Sequence, residues 1–320
     1  LSVIFLPEHA ARLPSMSEPN SPDRGYSLQV RTDAGAGPVL REMQFDGRDF
    51  PYGPGLTPLG GDYACEYWSA DDELAVFALA EPDPVAGDAA IPAERLYRQL
   101  IERLAESRYA YPLRLWNYFP AINHGHDDEE RYRRFCVGRG RALEAAGLSD
   151  AQMCAATAIG TAGETMQVVA LAGTRPGVSI ENPRQVSAWN YPRRYGPRQP
   201  AFARATGIDL ADGRAGLLIS GTASVVGHIT AHPHDVRAQT DEAASNLEAL
   251  LEHAAGAMRR PALARFNHAS LARVYVRDAS DWPAVESLLR RRWPELQLCA
   301  LQGDICRSDL MVEIEAWHTA

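Results

Sequence analysis

The order helix, strand, helix, strand pair occurs twice along this chain, and it restricts the possible folds more than any single motif does. In the first pass, apolar periodicity predicts a helix from Pro92 to Glu106, a strand from Leu113 to Phe119 and a helix from Asp128 to Ala145. A strand pair follows within 151–173, clearest at Met166 to Leu171. In the second pass a short apolar strand, Leu217 to Ser220, precedes a helix from Val236 to Ala254. Ala243, Leu247, Leu250, Leu251 and Ala254 form one stripe along that helix. A strand at Ala272 to Val276 then leads through Asp278 and Ser280 into a helix from about Trp282 to Trp293, and strands at Leu296 to Leu301 and Leu310 to Ala316 close the chain. The repeat predicts an α+β fold of two tandem units, each a mixed sheet with helices packed on one face. Periodicity breaks in TRPGVSIENPRQ, so one unit is placed at 1–180 and the other at 181–320. Residues 1–60 are rich in Pro, Gly and Asp and run into the turn-heavy FPYGPGLTPLGG, with a strand candidate at Tyr26 to Arg31.

A chain of 320 residues with 46% hydrophobic content can bury two cores of ordinary size. Its formal charge of −9 argues against nucleic-acid or anionic-membrane partners, so an anionic substrate must be drawn by a local arginine field. All 32 residues counted as Lys+Arg are arginine. Without lysine, Schiff-base catalysis, lysine-anchored pyridoxal phosphate and a Walker-type phosphate loop are excluded. Five cysteines, Cys65, Cys136, Cys154, Cys299 and Cys306, form no CxxC pair, and their odd number fits reduced thiols. The opening LSVIFLPEHAARLP lacks a basic n-region and no later run reaches membrane-spanning length, so a soluble cytoplasmic protein is expected.

Two segments carry chemistry. Asn190 to Arg204, NYPRRYGPRQPAFAR, gathers four arginines and two tyrosines in an otherwise acidic chain. Guanidinium groups grip carboxylates bidentately and tyrosine hydroxyls add oriented donors, which suits a polycarboxylic acid; a solvated basic loop is the plainer alternative. At the far end, DICRSDLMVEIEA alternates Leu310, Val312 and Ile314 with Met311, Glu313 and Glu315, so both carboxylates share one face of a strand. A carboxyl buried there has its pKa raised and can serve as a general acid.

In order, YGPRQPAFARATGI, LLISGTAS, DVRAQTDEAASNLEALLEHA, ARVYVRDASDWPAVESLL and LMVEIEA resemble the segments of the RidA (YjgF) family. RLWNYFPAIN and DDEERYRRFCVGRGRAL, preceding NYPRRYGPRQPAF, resemble the chorismatase family, once labelled pteridine-dependent dioxygenase-like. The resemblance implies tandem RidA-like (chorismate-mutase-like) units and removal of pyruvate from chorismate, with no metal, flavin or pterin. It is nearest the bifunctional type that makes 3- and 4-hydroxybenzoate. It places the proton-donating glutamate at Glu313, with Glu315 the alternative, and the carboxylate clamp at Tyr191 and Arg198, then Arg204 and Tyr195. Asn117 and Tyr118 approach the site or pack between the units. Gly221, Ala223 and Cys306 are the small residues expected around the reacting ring. Ordinary RidA imine hydrolases carry an arginine about fifteen residues before the strand glutamate, where this chain reads Glu295, Leu296, Gln297, Leu298 and Cys299, so imine hydrolysis is not expected. Hydrolysis to a dihydroxycyclohexadiene carboxylate, or carboxylate binding without catalysis, are the competing readings. A tandem chain is expected as a monomer with internal pseudo-oligomeric packing or as a small homo-oligomer.

His228, His232 and His234, like His124 and His126, fall in loops without a cysteine or acidic cluster at ligand spacing, so no metal site is expected. Asp235 instead suits the cap of the helix that follows it. Cys306 is expected to line the pocket or to be a structural thiol.

Overall fold

The computed structural model describes residues 73–210 and 213–320, and before them the backbone of four strands. Three of these, β1 (Leu28–Thr32), β2 (Leu40–Phe45) and β3 (Arg48–Pro51), form an antiparallel sheet. β1 covers most of the strand expected at 26–31, whereas most of the turn-rich stretch at 50–61 lies outside the described residues.

The first unit consists of β4 (Cys65–Ser69), β5 (Leu74–Pro82), α1 (Ala90–Glu106), β6 (Tyr111–Pro120), α2 (Arg131–Ala145), β7 (Ala155–Thr161) and β8 (Thr165–Gly173). The second runs from β9 (Val178–Ile180) through β10 (Ala205–Asp209), β11 (Ala215–Ala223) and a small hairpin, β12 (Val225–Val226) with β13 (Ile229–Thr230). It continues with α3 (Val236–Ala257), β14 (Leu271–Val276), α4 (Trp282–Arg292), β15 (Gln297–Gln302), β16 (Asp304–Ile305) and β17 (Val312–Thr319). The two six-stranded sheets are ordered β16-β7-β6-β8-β5-β4 and β15-β14-β17-β11-β10-β9. In each, the strands flanking the second helix pair in parallel, β6 with β7 and β14 with β15, and the last strand, β8 or β17, inserts antiparallel beside them. The repeat read in the sequence is therefore a repeat of topology.

Side-chain alternation explains how the units stack. On β8, Val168, Ala170 and Ala172 pack under α1 and α2, while Val169 and Leu171 point to the other sheet. On β17, Val312, Ile314 and Ala316 pack under α3 and α4, and Trp317 faces the first unit. With both faces of β8 covered, its apolar run is continuous from Val168 to Ala172, whereas β17 interleaves its apolar residues with Glu313 and Glu315. Trp116, Tyr118, Ile159, Leu218, Tyr275 and Trp317 fill the space between the sheets. The units thus bury their sheet faces on each other within one chain, with helices outside. Polar stitches add to this: the Ala155 amide donates to Thr206 Oγ1 at 2.8 Å, and the Ala156 amide to Ser220 Oγ at 2.8 Å.

Local chemistry sets the helix ends. Asp235 caps α3, accepting from the Arg237 and Ala238 amides at 3.1 and 3.0 Å, as its position before the helix implies. Gly138 lets α2 lie on α1, since a Cβ there would stand 2.1 Å from the Ala90 carbonyl oxygen. The second helix does not begin at Asp128: residues 127–129 form a 3-10 turn, and Glu130, with ψ of 132°, breaks the path before Arg131. The last strand begins at Val312 rather than Leu310, because the Leu310 amide closes a turn onto Arg307 and the Met311 amide is taken by Gln239 Oε1 at 2.7 Å.

Candidate active site

A cavity of about 530 Å³ opens between the units, within the size range of small-molecule sites. Its floor is made by a β-bulge. β11 and β17 pair Ile219 with Ala316 but Thr222 with Ile314, one residue out of step. Bulges re-aim strand residues next to sites. Here the extra residue lies within Ser220–Gly221, and Gly221 stands directly against the Glu313 carboxyl, so that a Cβ on Gly221 would fall 1.9 Å from Oε1. The Gly221 amide donates to Thr157 Oγ1 at 3.0 Å.

Glu313 lines this cavity yet is only 5% exposed. Burial first, and then the charge of Glu315, push its carboxyl up to about 8, against the pull of Arg114 and Arg204. At neutral pH its carboxyl therefore favours the protonated form. Glu315, two residues along the same face, has the opposite character. Burial raises its pKa, but Arg273 and Arg114, then hydrogen bonds from Thr157 and Trp116, more than offset this and hold it below the usual carboxylate range. Arg273 approaches Oε1 at 2.8 Å and the Trp116 indole donates to it at 2.9 Å. Arg114 and Thr157 serve Oε2 at 2.6 and 2.5 Å. Both guanidinium groups also lie over the Trp116 ring, 5.0 and 5.2 Å from its centre. Glu315 is thus an ionised anchor between the sheets, outside the cavity lining, and the structure corrects its candidacy as proton donor.

Over the carboxyl stands a cationic and aromatic wall. Arg204, 5% exposed, donates to Tyr191 Oη at 2.9 Å and to the Val186 carbonyl at 2.8 Å, while its Nε has no hydrogen-bond partner. Arg307 lies over the rings of Tyr195 and Tyr191, at 4.3 and 5.3 Å. The loop that carries Arg307 and Cys306 is shaped by Arg277, which donates to the carbonyls of Ile305, Arg307 and Leu310 at 3.1, 3.0 and 2.9 Å. Cys306 and Ala223 line the cavity with Gly221; burial keeps the Cys306 thiol protonated, so it acts there as a small neutral group.

Of the clamp residues read from the sequence, Tyr191, Tyr195 and Arg204 line the cavity and Arg198 does not. Arg198 folds onto Gly140 of α2 and is held by Glu144 and by Asp150, the latter at 3.1 Å. Those carboxylates already use its guanidinium, which removes it from the anion site. Asn117 reaches the cavity, whereas Tyr118 points between the sheets, 2.9 Å from the Tyr275 hydroxyl. His228 meets Tyr195 Oη at 3.2 Å and Arg194 at 3.1 Å. Among the described residues no three His, Cys, Asp or Glu side chains gather as metal ligands. Sequence reading missed Arg139, Thr157 and Arg307, and the supporting Arg114 and Arg273. Arg307 had a legible signal, lying in the same terminal run as Glu313. The others lie in apolar strands and a helix whose neighbours across the fold are not written in their own segments.

Fold and cavity define a duplicated two-sheet protein with a cationic and aromatic wall facing a buried carboxyl of raised pKa. Residues 60–172 match the family described as chorismatase FkbO/Hyg5-like, N-terminal. The chain is 42% identical to a 3-hydroxybenzoate synthase of Streptomyces hygroscopicus over 228 residues, 68% of this chain and 66% of that protein. It is 37% identical to a chorismatase of Streptomyces rapamycinicus over 281 residues, 83% of this chain and 74% of that protein. A crystal structure of a chorismatase superposes with a TM-score of 0.68 at 34% identity, covering 78% of this chain and 75% of that one. The chain belongs to the chorismatase family. It spans about two thirds to three quarters of the length of these relatives. Among the described residues no helix is long and apolar enough to cross a membrane.

Proposed function

We propose that this protein converts chorismate to pyruvate and a hydroxybenzoate, with Glu313 as the proton donor. The observation that carries the reading is the pair of environments on one strand face: a carboxyl held protonated at the cavity floor, and beside it a carboxylate held ionised by two arginines. Chorismate carries two carboxylates and an enol ether, which matches arginines on the walls and an acid below. Protonation of the enolpyruvyl methylene by Glu313 gives an oxocarbenium-like centre. Attack on that centre by a substrate hydroxyl, followed by elimination, releases pyruvate and aromatises the ring; atoms balance without added water. Attack by water would give pyruvate and a dihydroxycyclohexadiene carboxylate instead. The 42% identity to a 3-hydroxybenzoate synthase supports the 3-isomer as a product, and the bifunctional reading adds the 4-isomer. Tyr191, Arg204 and Arg307 hold the substrate beside the acid.

Incubation with chorismate, pyruvate assay and chromatography of every product test this. Pyruvate with 3-hydroxybenzoate is expected. A non-aromatic diene diol alone would make the protein a hydrolase, and binding without pyruvate release would make it a carboxylate-binding protein.

A further inference from the structure

The arginines of α2 are paired with carboxylates, with one exception that faces the cavity. Arg131 meets Asp83 at 2.5 Å, Arg133 meets Glu130 at 2.8 Å, Arg134 meets Asp88 at 2.6 Å and Arg141 meets Glu94 at 3.6 Å. Arg139 is only 3% exposed and lines the cavity, yet no carboxylate of the described residues lies in ion-pair reach of it. Its guanidinium stacks over the rings of Phe135 and Tyr97 at 5.1 and 5.9 Å, its Nη2 contacts Cys136 Sγ at 3.9 Å, and its Nε has no hydrogen-bond partner. Leaving a buried charge uncompensated is costly, and a bound anion removes the cost.

We infer that Arg139 is a second carboxylate anchor, contributed by the first unit, that receives the ring carboxylate of the substrate while Arg204 and Arg307 of the second unit hold the ether-linked one. The allocation rests on the chorismate reading above and on the place of Arg204, whose charge acts on the Glu313 carboxyl that must meet the enol ether. Tyr97 is the positioning residue. Its hydroxyl is hydrogen-bonded to Arg139 and donates to Asn117 Oδ1 at 2.8 Å, and Asn117 Nδ2 donates to the Thr157 carbonyl at 2.9 Å. Arg139 is thereby linked to the strand whose Thr157 hydroxyl accepts from the Gly221 amide.

Calorimetry with three stable mimics tests the inference: phenoxyacetate carries only the ether-side carboxylate, 3-methoxybenzoate only the ring carboxylate, and 3-(carboxymethoxy)benzoate both. Wild type is expected to bind the dicarboxylate roughly tenfold or more tighter than phenoxyacetate, the scale of one charge-assisted contact. In Arg139→Gln that ratio should fall to near one while phenoxyacetate affinity is kept; an undiminished ratio would overturn the inference. Should Arg139→Gln fail to fold, Tyr97→Phe keeps the ring and removes the hydroxyl. It should lower the ratio at least about threefold with phenoxyacetate affinity unchanged, and a wild-type ratio in that variant, whatever its Tm, overturns the inference. Wild-type protein that shows the ratio but releases no pyruvate from chorismate would refute the proposed reaction and support the anchor. Turnover with an unchanged KM in Arg139→Gln would refute the anchor alone.

Discussion

Gly221 and Glu313 are in contact through a position where only a hydrogen fits: a Cβ on Gly221 would lie 1.9 Å from Glu313 Oε1 and 2.6 Å from its carboxyl carbon. Gly221→Ala is therefore expected to move the acid, which is a larger effect than the change in ring space expected from the sequence. Total pyruvate release should fall on the order of 10²-fold, the cost of a misplacement of about 1 Å. A wild-type rate with only a changed product ratio, seen by chromatography, would show that the strand bulge yields instead.

Glu313→Gln keeps size and hydrogen bonding but has no acidic proton. Turnover should drop about 10²–10⁴-fold with KM little changed. In wild type the active form is protonated, so kcat should decline as pH rises through about 8. The same raised pKa makes a stability contribution that is complete below an unfolded value near 4.5 and lost as pH rises through about 8. Urea unfolding of wild type and Glu313→Gln across that window should show the extra pH dependence in wild type only.

Glu315→Gln leaves Arg114 and Arg273 buried without their counter-charge, and a loss of about 3–5 kcal/mol of stability is expected. It also removes a negative charge that favours protonated Glu313. Where the variant folds, the alkaline limb of its pH–rate profile should move to lower pH. An unmoved limb would show that Glu315 has no electrostatic hold on the acid.

Arg204→Lys keeps charge but loses the planar fork, and should weaken chorismate binding by about 1.5–3 kcal/mol, read as a higher KM. Arg198→Lys is the contrast. Held by Glu144 and Asp150 away from the cavity, it should leave KM within about twofold, as for other partly exposed ion pairs.

Cys306→Ala enlarges the cavity beside Ala223 and leaves in place the hydrogen bonds of Glu315 to Arg114, Trp116 and Thr157. The proportions of 3-hydroxybenzoate, 4-hydroxybenzoate and diene diol should change more than total pyruvate release does. Unchanged proportions on chromatography would free this residue from any part in selectivity.

The sequence by itself determined the duplicated order of elements, the apolar stripe of α3, the Asp235 cap and the shared face of Glu313 and Glu315, because each is set by spacing within one segment. Only the tertiary structure decided what that shared face means. Period two assigns both glutamates the same side, but Arg114 from the first unit and Arg273 from the neighbouring strand reach one and not the other, so one ionises and one keeps its proton. In the same way Arg198 was legible as a cation near the clamp, while its capture by Glu144 and Asp150 was not. Arg139, in an ordinary basic helix, became a candidate anchor only once its missing carboxylate could be seen. Periodicity fixes which way a side chain points; its charge state depends on groups brought from distant parts of the chain, through burial and Coulomb terms that no local pattern records.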